Sequence, residues 1–149
     1  MSEANDKTVT LRQQHDYQFH IDFGNGVPTL QSDEPAPLGA GEGPSPSQLL
    51  LAAVGNCMSS SLYFALAKFK NDPGGITTTA RAEIGRNDAG RLRVLRIALE
   101  IRLGAAASSM SHLERILDQF EEFCTVGQSV RAGIPIDIAV YDGTGQRLK

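Results

Sequence analysis

The residues best suited to covalent chemistry are the only two cysteines of the chain, Cys57 and Cys124, which stand 67 residues apart. A buried free cysteine often serves only as a small apolar core residue, but a thiolate is a strong nucleophile and metal ligand. Cys124 directly precedes a predicted short helix, 126–132. If the backbone N–H groups of that helix point at the sulfur, they lower the thiol pKa. The sequence thus allows a redox pair if the fold brings the two thiols together.

The histidines give little support to a metal site. His15, His20 and His112 each lie far from both cysteines, and the sequence has neither a C-x-x-C nor an H-x-x-x-H pattern. A Cys–His nucleophile pair would need the fold to carry one of these histidines to a cysteine. We therefore expect no metal site.

Charge and length exclude several classes of protein. The net charge of −3 and the lack of a Lys/Arg-rich run argue against nucleic-acid binding. A length of 149 residues fits one domain, 1–149, in which residues 1–7 are expected to be flexible. Residues 49–69 could span a bilayer by length, but polar residues at mid-depth, among them Asn56 and Ser59 to Ser61, argue against a membrane helix.

The expected compartment follows from the N-terminus and the cysteines. Residues 1–7 are polar and lack the apolar core of a signal peptide, so we expect a cytoplasmic protein. Thiols are kept reduced there, which favours redox or catalytic cysteines over a structural disulfide.

The periodicity predicts an α+β fold with the order β-β-β-α-β-β-α-α-β. Hairpin turns predominate, so the sheets are expected to be mostly antiparallel. The predicted strands span 8–12, 17–23, 27–30, 76–86, 91–103 and 134–141. The predicted helices span 46–71, then from a cap at Ser108 or Ser109 to 123, and 126–132, the last with a cap at Thr125.

The first helix has the clearest start signal in the sequence. Ser45 is the expected N-cap, Pro46 occupies the first helical position, and Gln48 completes a capping box. The first two-thirds of this helix carry almost no charge on any face, which is typical of a helix buried on all sides. A chain of this size can hardly cover such a helix alone, so we expect a second subunit to cover part of it.

Around the cysteines the sequence resembles the OsmC/Ohr family of osmotically inducible and organic hydroperoxide resistance proteins. The resemblance is carried by GPSPSQLLLAAVGNC at 43–57 and by FCTVGQSV at 123–130, followed by Gly133-Ile134-Pro135. The loop at 33–35 and the strand order also fit. The resemblance extends over roughly 17–141, nearly the whole chain.

This resemblance implies an OsmC-like fold around a long buried central helix, and an intertwined homodimer with active sites at the subunit interface. It also implies a thiol peroxidase of the oxidative stress response that acts on organic hydroperoxides or hydrogen peroxide. Cys57 would attack the peroxide and become a sulfenic acid, and Cys124 would resolve it as a disulfide. A lipoyl-like dithiol would reduce that disulfide, with no metal, flavin or haem.

The chain departs from the peroxidase members of the family at several positions. Those members place a glutamate in the first turn of the central helix, where it orients an arginine against the thiolate; here Ser47 and Gln48 occupy that turn. Arg12 is the only arginine before Cys57, and Glu42 could supply a carboxylate from the loop. Where the family usually has Pro and then Ser after the second cysteine, this chain has Thr125 and Gly127.

These departures leave a second hypothesis open. A thiol buried in a helix needs a cation or strong hydrogen-bond donors to ionise at neutral pH. The alternative is an OsmC-like protein with weak or no peroxidase activity that binds a small ligand in the dimer-interface pocket. We take Ser47, Gln48, Arg12 and Glu42 as candidate supporting residues for the first hypothesis.

Overall fold

The structure of the chain is a computed structural model that describes residues 5–149, and its elements follow the predicted order. The predicted flexible segment 1–7 lies largely outside the described residues. The chain forms two compact units that divide between Leu49 and Leu50. That the two units make a single domain stays a prediction.

The strands are β1 (Thr10–His15), β2 (Gln18–Asp22), β3 (Leu30–Ser32), β4 (Ile76–Arg86), β5 (Leu92–Leu103) and β6 (Ile136–Tyr141). The helices are α1 (Pro46–Lys68), α2 (Leu113–Gln119) and α3 (Thr125–Arg131).

The N-terminal unit contains one antiparallel sheet of order β1-β2-β3. Every residue of β1 is exposed, whereas Gln18 and Ile21 of β2 are buried. Strand β1 runs further than predicted, through His15, because an exposed edge strand tolerates polar side chains on both faces. Strand β3 begins only at Leu30, after Pro28, which has no N–H for a sheet hydrogen bond.

The loop after β3 is organised by one buried carboxylate, that of Asp33, which is 1% exposed. Its oxygens accept hydrogen bonds from the backbone N–H groups of Glu34, Ala40 and Glu42 at 2.8, 3.2 and 3.1 Å. The bond from Glu42 contributes most to lowering the pKa of Asp33, against the opposing effect of burial. A side chain at Gly39 would collide with Asp33, so this turn requires glycine.

The C-terminal unit is built on a sheet of order β4-β5-β6. Strands β4 and β5 form a long antiparallel hairpin, and β6 pairs parallel to β5. Helix α1 contributes a ridge of residues four apart to the core of this unit, which is where side chains of one helix face must lie. The main buried core residues are Val54, Met58, Leu62 and Leu66 from α1, Ile97, Leu99, Ile101 and Leu103 from β5, and Phe120, Cys124 and Val140.

In the single chain, helix α1 is buried on one side only, and its burial on all sides by a second subunit stays a prediction. The face opposite the core ridge is open, and Tyr63 and Phe64 on it are 56% and 62% exposed. Within the described residues, α1 is long and apolar enough to span a membrane by length and composition, a test that core helices of other proteins also pass. Its sequence is apolar enough to be buried on both sides, but this chain covers only one.

The predicted second helix is interrupted. A 3₁₀ turn at Ala107–Ser109 precedes α2, and a second at Phe120–Phe123 follows it. The N-cap of α2 is His112 in the left-handed conformation, at φ 56°, with no side-chain cap. A residue far away in the sequence stabilises this break. The side-chain NH₂ of Asn71 donates to the carbonyl of Ser111, and the Ser111 N–H donates to the Asn71 side-chain oxygen, both at 2.8 Å.

Acid should weaken the C-terminal unit through Asp142. This carboxylate is buried and accepts a hydrogen bond from the backbone N–H of Ala107 at 2.8 Å, the largest cause that lowers its pKa to about 2. A depressed carboxyl pKa contributes stability above the unfolded value of 3.8, and this stability is lost as the pH falls towards 2.

We therefore expect Asp142→Asn to lower the urea midpoint of unfolding at pH 7. The difference from the wild-type protein should stay constant down to about pH 4 and shrink between about pH 4 and pH 2. Urea titrations across this range check the prediction. A difference that did not change with pH would assign the effect of the substitution to packing instead of charge.

Candidate functional site

The structure brings the two cysteines together within the C-terminal unit. Cys57 lies on α1 next to the core ridge, and Cys124 lies between the second 3₁₀ turn and α3. Both are free thiols, and their side chains are within hydrogen-bonding reach of each other. The sequence allowed a redox pair only if the fold brings the two thiols close together, and in this structure it does.

Cys124 is the N-cap residue of α3. Its sulfur accepts a hydrogen bond from the backbone N–H of Gly127 at 3.2 Å. The prediction placed the cap one residue later, at Thr125, because hydroxyl side chains are the preferred caps. Here Thr125 is the first residue of the helix instead.

The pKa of Cys124 changes in the direction opposite to the expectation from the helix terminus. Burial is the largest cause that raises the pKa of Cys124 from 9.0 to about 11, and the neighbouring Cys57 contributes to this rise both by hydrogen bonding and by charge. The Gly127 N–H and the side chain of Ser61 oppose this shift but do not outweigh it. Removal of the sulfur from water costs more than two hydrogen-bond donors return, so Cys124 is a neutral thiol at pH 7.

The two thiols differ in their access to solvent. Cys124 is 0% exposed, whereas Cys57 is half-buried. A small oxidant arriving from solvent therefore meets the Cys57 sulfur first. Once Cys57 is oxidised, the adjacent Cys124 thiol is the nucleophile in place to attack it.

Gly127 fits the cysteine site because it has no side chain. A Cβ atom there would lie 2.8 Å from the methyl group of Met58 and 2.9 Å from the Cys124 sulfur, closer than side chains pack. Sequence reasoning missed Gly127 and Ser61 as site residues. The signal for Ser61 was its position four residues after Cys57, on the same face of α1.

The candidate supporting residues all belong to the N-terminal unit. Gln48 and Ser45 form the predicted capping box, with the Ser45 N–H 2.9 Å from the Gln48 side-chain oxygen and the Gln48 N–H 3.3 Å from the Ser45 hydroxyl. Ser47, between them, is half-buried. The capping box is confirmed, and a role of either residue in thiol chemistry stays a prediction.

Arg12 and Glu42 also have partners within the N-terminal unit. Arg12 lies on exposed β1, 3.8 Å from the Asp22 carboxylate. The Glu42 carboxylate accepts a 2.8 Å hydrogen bond from the side chain of Gln18, which also donates to Asp33 at 3.3 Å. The supporting role of Arg12 and Glu42 likewise stays a prediction.

Two of the three histidines have partners away from the cysteines. The ring of His112 stacks on Phe69 at a centroid distance of 4.8 Å, and the His15 ring lies 3.6 Å from the Asp16 carboxylate. Among residues 5–149, no three His, Cys, Asp or Glu side chains converge in a way that could hold a metal ion. The chemistry that this site offers is thiol and disulfide chemistry.

The family model for OsmC-like proteins matches residues 39–139, which include both cysteines. Among characterised proteins, Peroxiredoxin OsmC of Escherichia coli (strain K12) is 29% identical over 96 residues. That match spans 64% of this chain and 66% of the relative, somewhat less than two thirds of its length.

Solved structures share the fold at low sequence identity. An organic hydroperoxide resistance protein from Elizabethkingia anophelis superposes with a TM-score of 0.75 at 20% identity, covering 95% of this chain and 99% of that one. OhrB, the organic hydroperoxide resistance protein of Bacillus subtilis, gives a TM-score of 0.69 at 17% identity, covering 91% and 97%. These likenesses establish an α+β fold of the OsmC/Ohr type. Together with the family match over most of its length, they show that this chain belongs to the OsmC-like protein family.

Proposed function

We propose that this chain is a thiol-dependent peroxidase that reduces organic hydroperoxides or hydrogen peroxide through Cys57 and Cys124. The observation that carries the proposal is the pairing of a half-buried thiol with a fully buried one. Similarity to Peroxiredoxin OsmC and to organic hydroperoxide resistance proteins supports the same class of reaction.

In the first step the Cys57 thiolate attacks one oxygen of the peroxide. A sulfur–oxygen bond forms and the O–O bond breaks, so Cys57 becomes a sulfenic acid. The leaving oxygen takes a proton and departs as an alcohol, or as water when the substrate is hydrogen peroxide. Sulfur loses two electrons and the peroxide gains them. Since Cys57 is the thiol with access to solvent, it is the one assigned to this step.

In the second step Cys124 resolves the sulfenic acid. Its sulfur attacks the Cys57 sulfur, the S–O bond breaks, and the oxygen leaves as water with the proton from Cys124. The product is a Cys57–Cys124 disulfide. A lipoyl-like dithiol then reduces this disulfide by two exchange steps and is itself oxidised to a cyclic disulfide. The cycle fits a cytoplasmic protein, because that compartment keeps dithiols reduced.

The open face of α1 supports an intertwined homodimer. Tyr63 and Phe64 project from a face that also includes the exposed Ala52, Ala53 and Ala67, and large exposed aromatic side chains on one helix face are typical of a subunit interface. We propose that a second copy of the chain covers this face.

Replacement of Phe64 by glutamate should disrupt that dimer. A charge in the centre of an apolar interface would lose its hydration without gaining a partner, so we expect the variant to sediment at the chain mass of 16.0 kDa and the wild-type protein at twice that mass. Phe64→Leu, which keeps the site apolar, is the matched control. Wild-type protein that sediments as a monomer at all concentrations would contradict the proposal.

The peroxidase proposal is tested by turnover. Purified protein is mixed with tert-butyl hydroperoxide or hydrogen peroxide, and peroxide loss is followed with dihydrolipoamide and, separately, with glutathione. We expect protein-dependent consumption that is faster with the dithiol, since one dithiol molecule completes both exchange steps. Consumption no faster than with reductant alone would contradict the proposal and favour the ligand-binding alternative.

A further inference from the structure

Closure of the Cys57–Cys124 disulfide, the step of the proposed function on which this inference rests, requires Cys124 to be held in one position. A thiol that is fixed beside its target reacts faster than one on a mobile segment, because less freedom is lost on the way to the transition state. Yet Cys124 lies at a junction of the backbone. It is the single extended residue, at φ −83° and ψ 99°, between the second 3₁₀ turn and α3. Without a contact across this junction, the two helical segments can rotate about Cys124 and displace its sulfur.

The side chain of Gln128 makes a contact across this junction. Its NH₂ group donates to the carbonyl oxygen of Glu121 at 2.9 Å, and so links α3 to the 3₁₀ turn that precedes Cys124. The same Glu121 carbonyl accepts from the backbone N–H of Cys124 at 3.2 Å, and the backbone N–H of Gln128 donates to the Cys124 carbonyl at 2.9 Å. Both backbone polar groups of Cys124 are thus bonded to the two residues that the Gln128 side chain connects.

The sulfur of Cys124 is held by the same helix as Gln128. It accepts the hydrogen bond from the Gly127 N–H at 3.2 Å, so the position of the sulfur follows that of the first turn of α3. Cys124 is fully buried, whereas Gln128 is exposed. Gln128 therefore fixes the buried thiol from the solvent side, and its replacement opens no cavity in the core.

Two neighbouring side chains of α3 lack this hydrogen bond across the junction. Arg131 also reaches towards Glu121, but its guanidinium nitrogen lies 3.7 Å from the Glu121 carboxylate, which is too far for a hydrogen bond. The Ser129 hydroxyl donates to the carbonyl of Thr125 at 2.9 Å, within α3 itself. Of these three side chains, Gln128 alone makes a hydrogen bond from α3 to the segment before Cys124.

We propose that Gln128 is a positioning residue that holds Cys124 in place for its attack on oxidised Cys57, through the hydrogen bond from its side-chain amide to the Glu121 carbonyl. In that attack Cys124 loses its proton, its electron pair forms the S–S bond, and the bond from the Cys57 sulfur to the leaving group breaks. The leaving group takes the electron pair of the broken bond and a proton. Gln128 exchanges neither electrons nor protons. It accelerates closure of the disulfide and leaves the first oxidation of Cys57 unchanged.

The experiment uses an oxidant that reports the two steps separately and needs no peroxidase activity. Dithiodipyridine reacts with Cys57 to give a mixed disulfide and one pyridinethione, and attack by Cys124 then releases a second pyridinethione. Both releases are followed by absorbance in a stopped-flow instrument. The reduction potential of the disulfide is measured in parallel, at equilibrium with mixtures of lipoamide and dihydrolipoamide.

Four variants of the full chain separate the hydrogen bond from the shape of the side chain. Gln128→Met and Gln128→Glu keep its approximate size but lack the amide donor, and Gln128→Lys keeps a donor long enough to reach the carbonyl. Ser129→Ala is the matched control, because it removes a side-chain hydrogen bond of similar length from the adjacent exposed residue. Circular dichroism checks that each variant is folded.

We expect Gln128→Met and Gln128→Glu to leave the first release unchanged and to slow the second about fivefold, the typical effect of one lost hydrogen bond. The reduction potential should rise by about 20 mV, which is the same factor expressed as an equilibrium. Gln128→Lys should restore most of the second rate, and Ser129→Ala should behave as the wild-type protein. If Gln128 only stabilised α3, Ser129→Ala would slow the second release as much, and lysine would not restore it.

A second release that is equally fast in Gln128→Met and Gln128→Glu, with the same potential, would overturn the proposal. So would an equal slowing by Ser129→Ala, or a Gln128→Lys variant as slow as Gln128→Met. A chain that shows both releases with dithiodipyridine but no reaction with peroxides would refute the peroxidase function alone. A wild-type protein without a second release would refute the pairing of the two cysteines and with it both proposals.

Discussion

Replacement of Cys57 by serine should abolish peroxide-dependent oxidation of the protein. A serine hydroxyl stays protonated at neutral pH and is a poor nucleophile towards an O–O bond, so we expect the rate to fall by about three orders of magnitude or more. Cys57 is the half-buried thiol of the pair, and the remaining Cys124 is fully buried and carries a pKa of about 11. Cys124 cannot take over the reaction from that position.

The measurement is thiol loss and peroxide consumption after rapid mixing with tert-butyl hydroperoxide. The control is circular dichroism, because serine is nearly the size of cysteine and the fold should be retained. A Cys57→Ser protein that consumed peroxide at a rate close to that of the wild-type protein would show that the nucleophile is another group.

Replacement of Cys124 by serine should separate the two steps of the cycle. The serine hydroxyl can still accept the hydrogen bond from the Gly127 N–H, and serine is a preferred N-cap, so α3 should form normally. We expect Cys57 to be oxidised within about threefold of the wild-type rate but to remain a sulfenic acid, since no thiol stands beside it to form a disulfide. Excess peroxide should then convert it to the sulfinic acid and inactivate the protein.

Intact-protein mass spectrometry checks this result. The wild-type protein should lose two hydrogens on oxidation, whereas Cys124→Ser should gain one oxygen and then a second, and only the variant should be labelled by a dimedone-type reagent. The variant has a single cysteine and cannot form an intramolecular disulfide. If Cys57 stayed unmodified and unlabelled after peroxide treatment, this would contradict the assignment of Cys57 as the first thiol to react.

The features that sequence predicted well are those with local causes. The capping box of Ser45 and Gln48 is confirmed by both of its hydrogen bonds. The turn between β4 and β5 lies at 87–91, close to the gap that the predicted strands 76–86 and 91–103 leave, with the Asn87 side chain accepting from two backbone N–H groups and Gly90 at φ 74°. Each feature depends on residues within four positions of one another, which periodicity and turn rules can capture.

The features that sequence did not predict have causes far away in the chain. The break before α2 depends on Asn71, which lies 40 residues before Ser111. The start of β6 at Ile136, two residues later than predicted, follows Pro135, whose carbonyl accepts from the N–H of Ile97 in β5. Local patterns contain no information on such partners, and the boundaries shift accordingly.

The candidate site also has features that the sequence could predict and features that it could not. The type and number of the two cysteines singled them out, and the family resemblance paired them. The direction of the Cys124 pKa shift could not be predicted, because the helix terminus and burial act on this pKa in opposite directions and only the structure shows that burial dominates. Ser61 stands in a run of three serines, and which of these is buried depends on how α1 packs in the fold.

The most direct test of the two-cysteine peroxidase is the rate at which the reduced wild-type protein loses thiols after stopped-flow mixing with tert-butyl hydroperoxide. We predict a rate at least about tenfold above that of free cysteine, as expected of a cysteine that the protein activates as a nucleophile, ending in a disulfide that peptide mapping assigns to Cys57 and Cys124. Thiol loss no faster than that of free cysteine, or an oxidised product without this disulfide, would contradict the account.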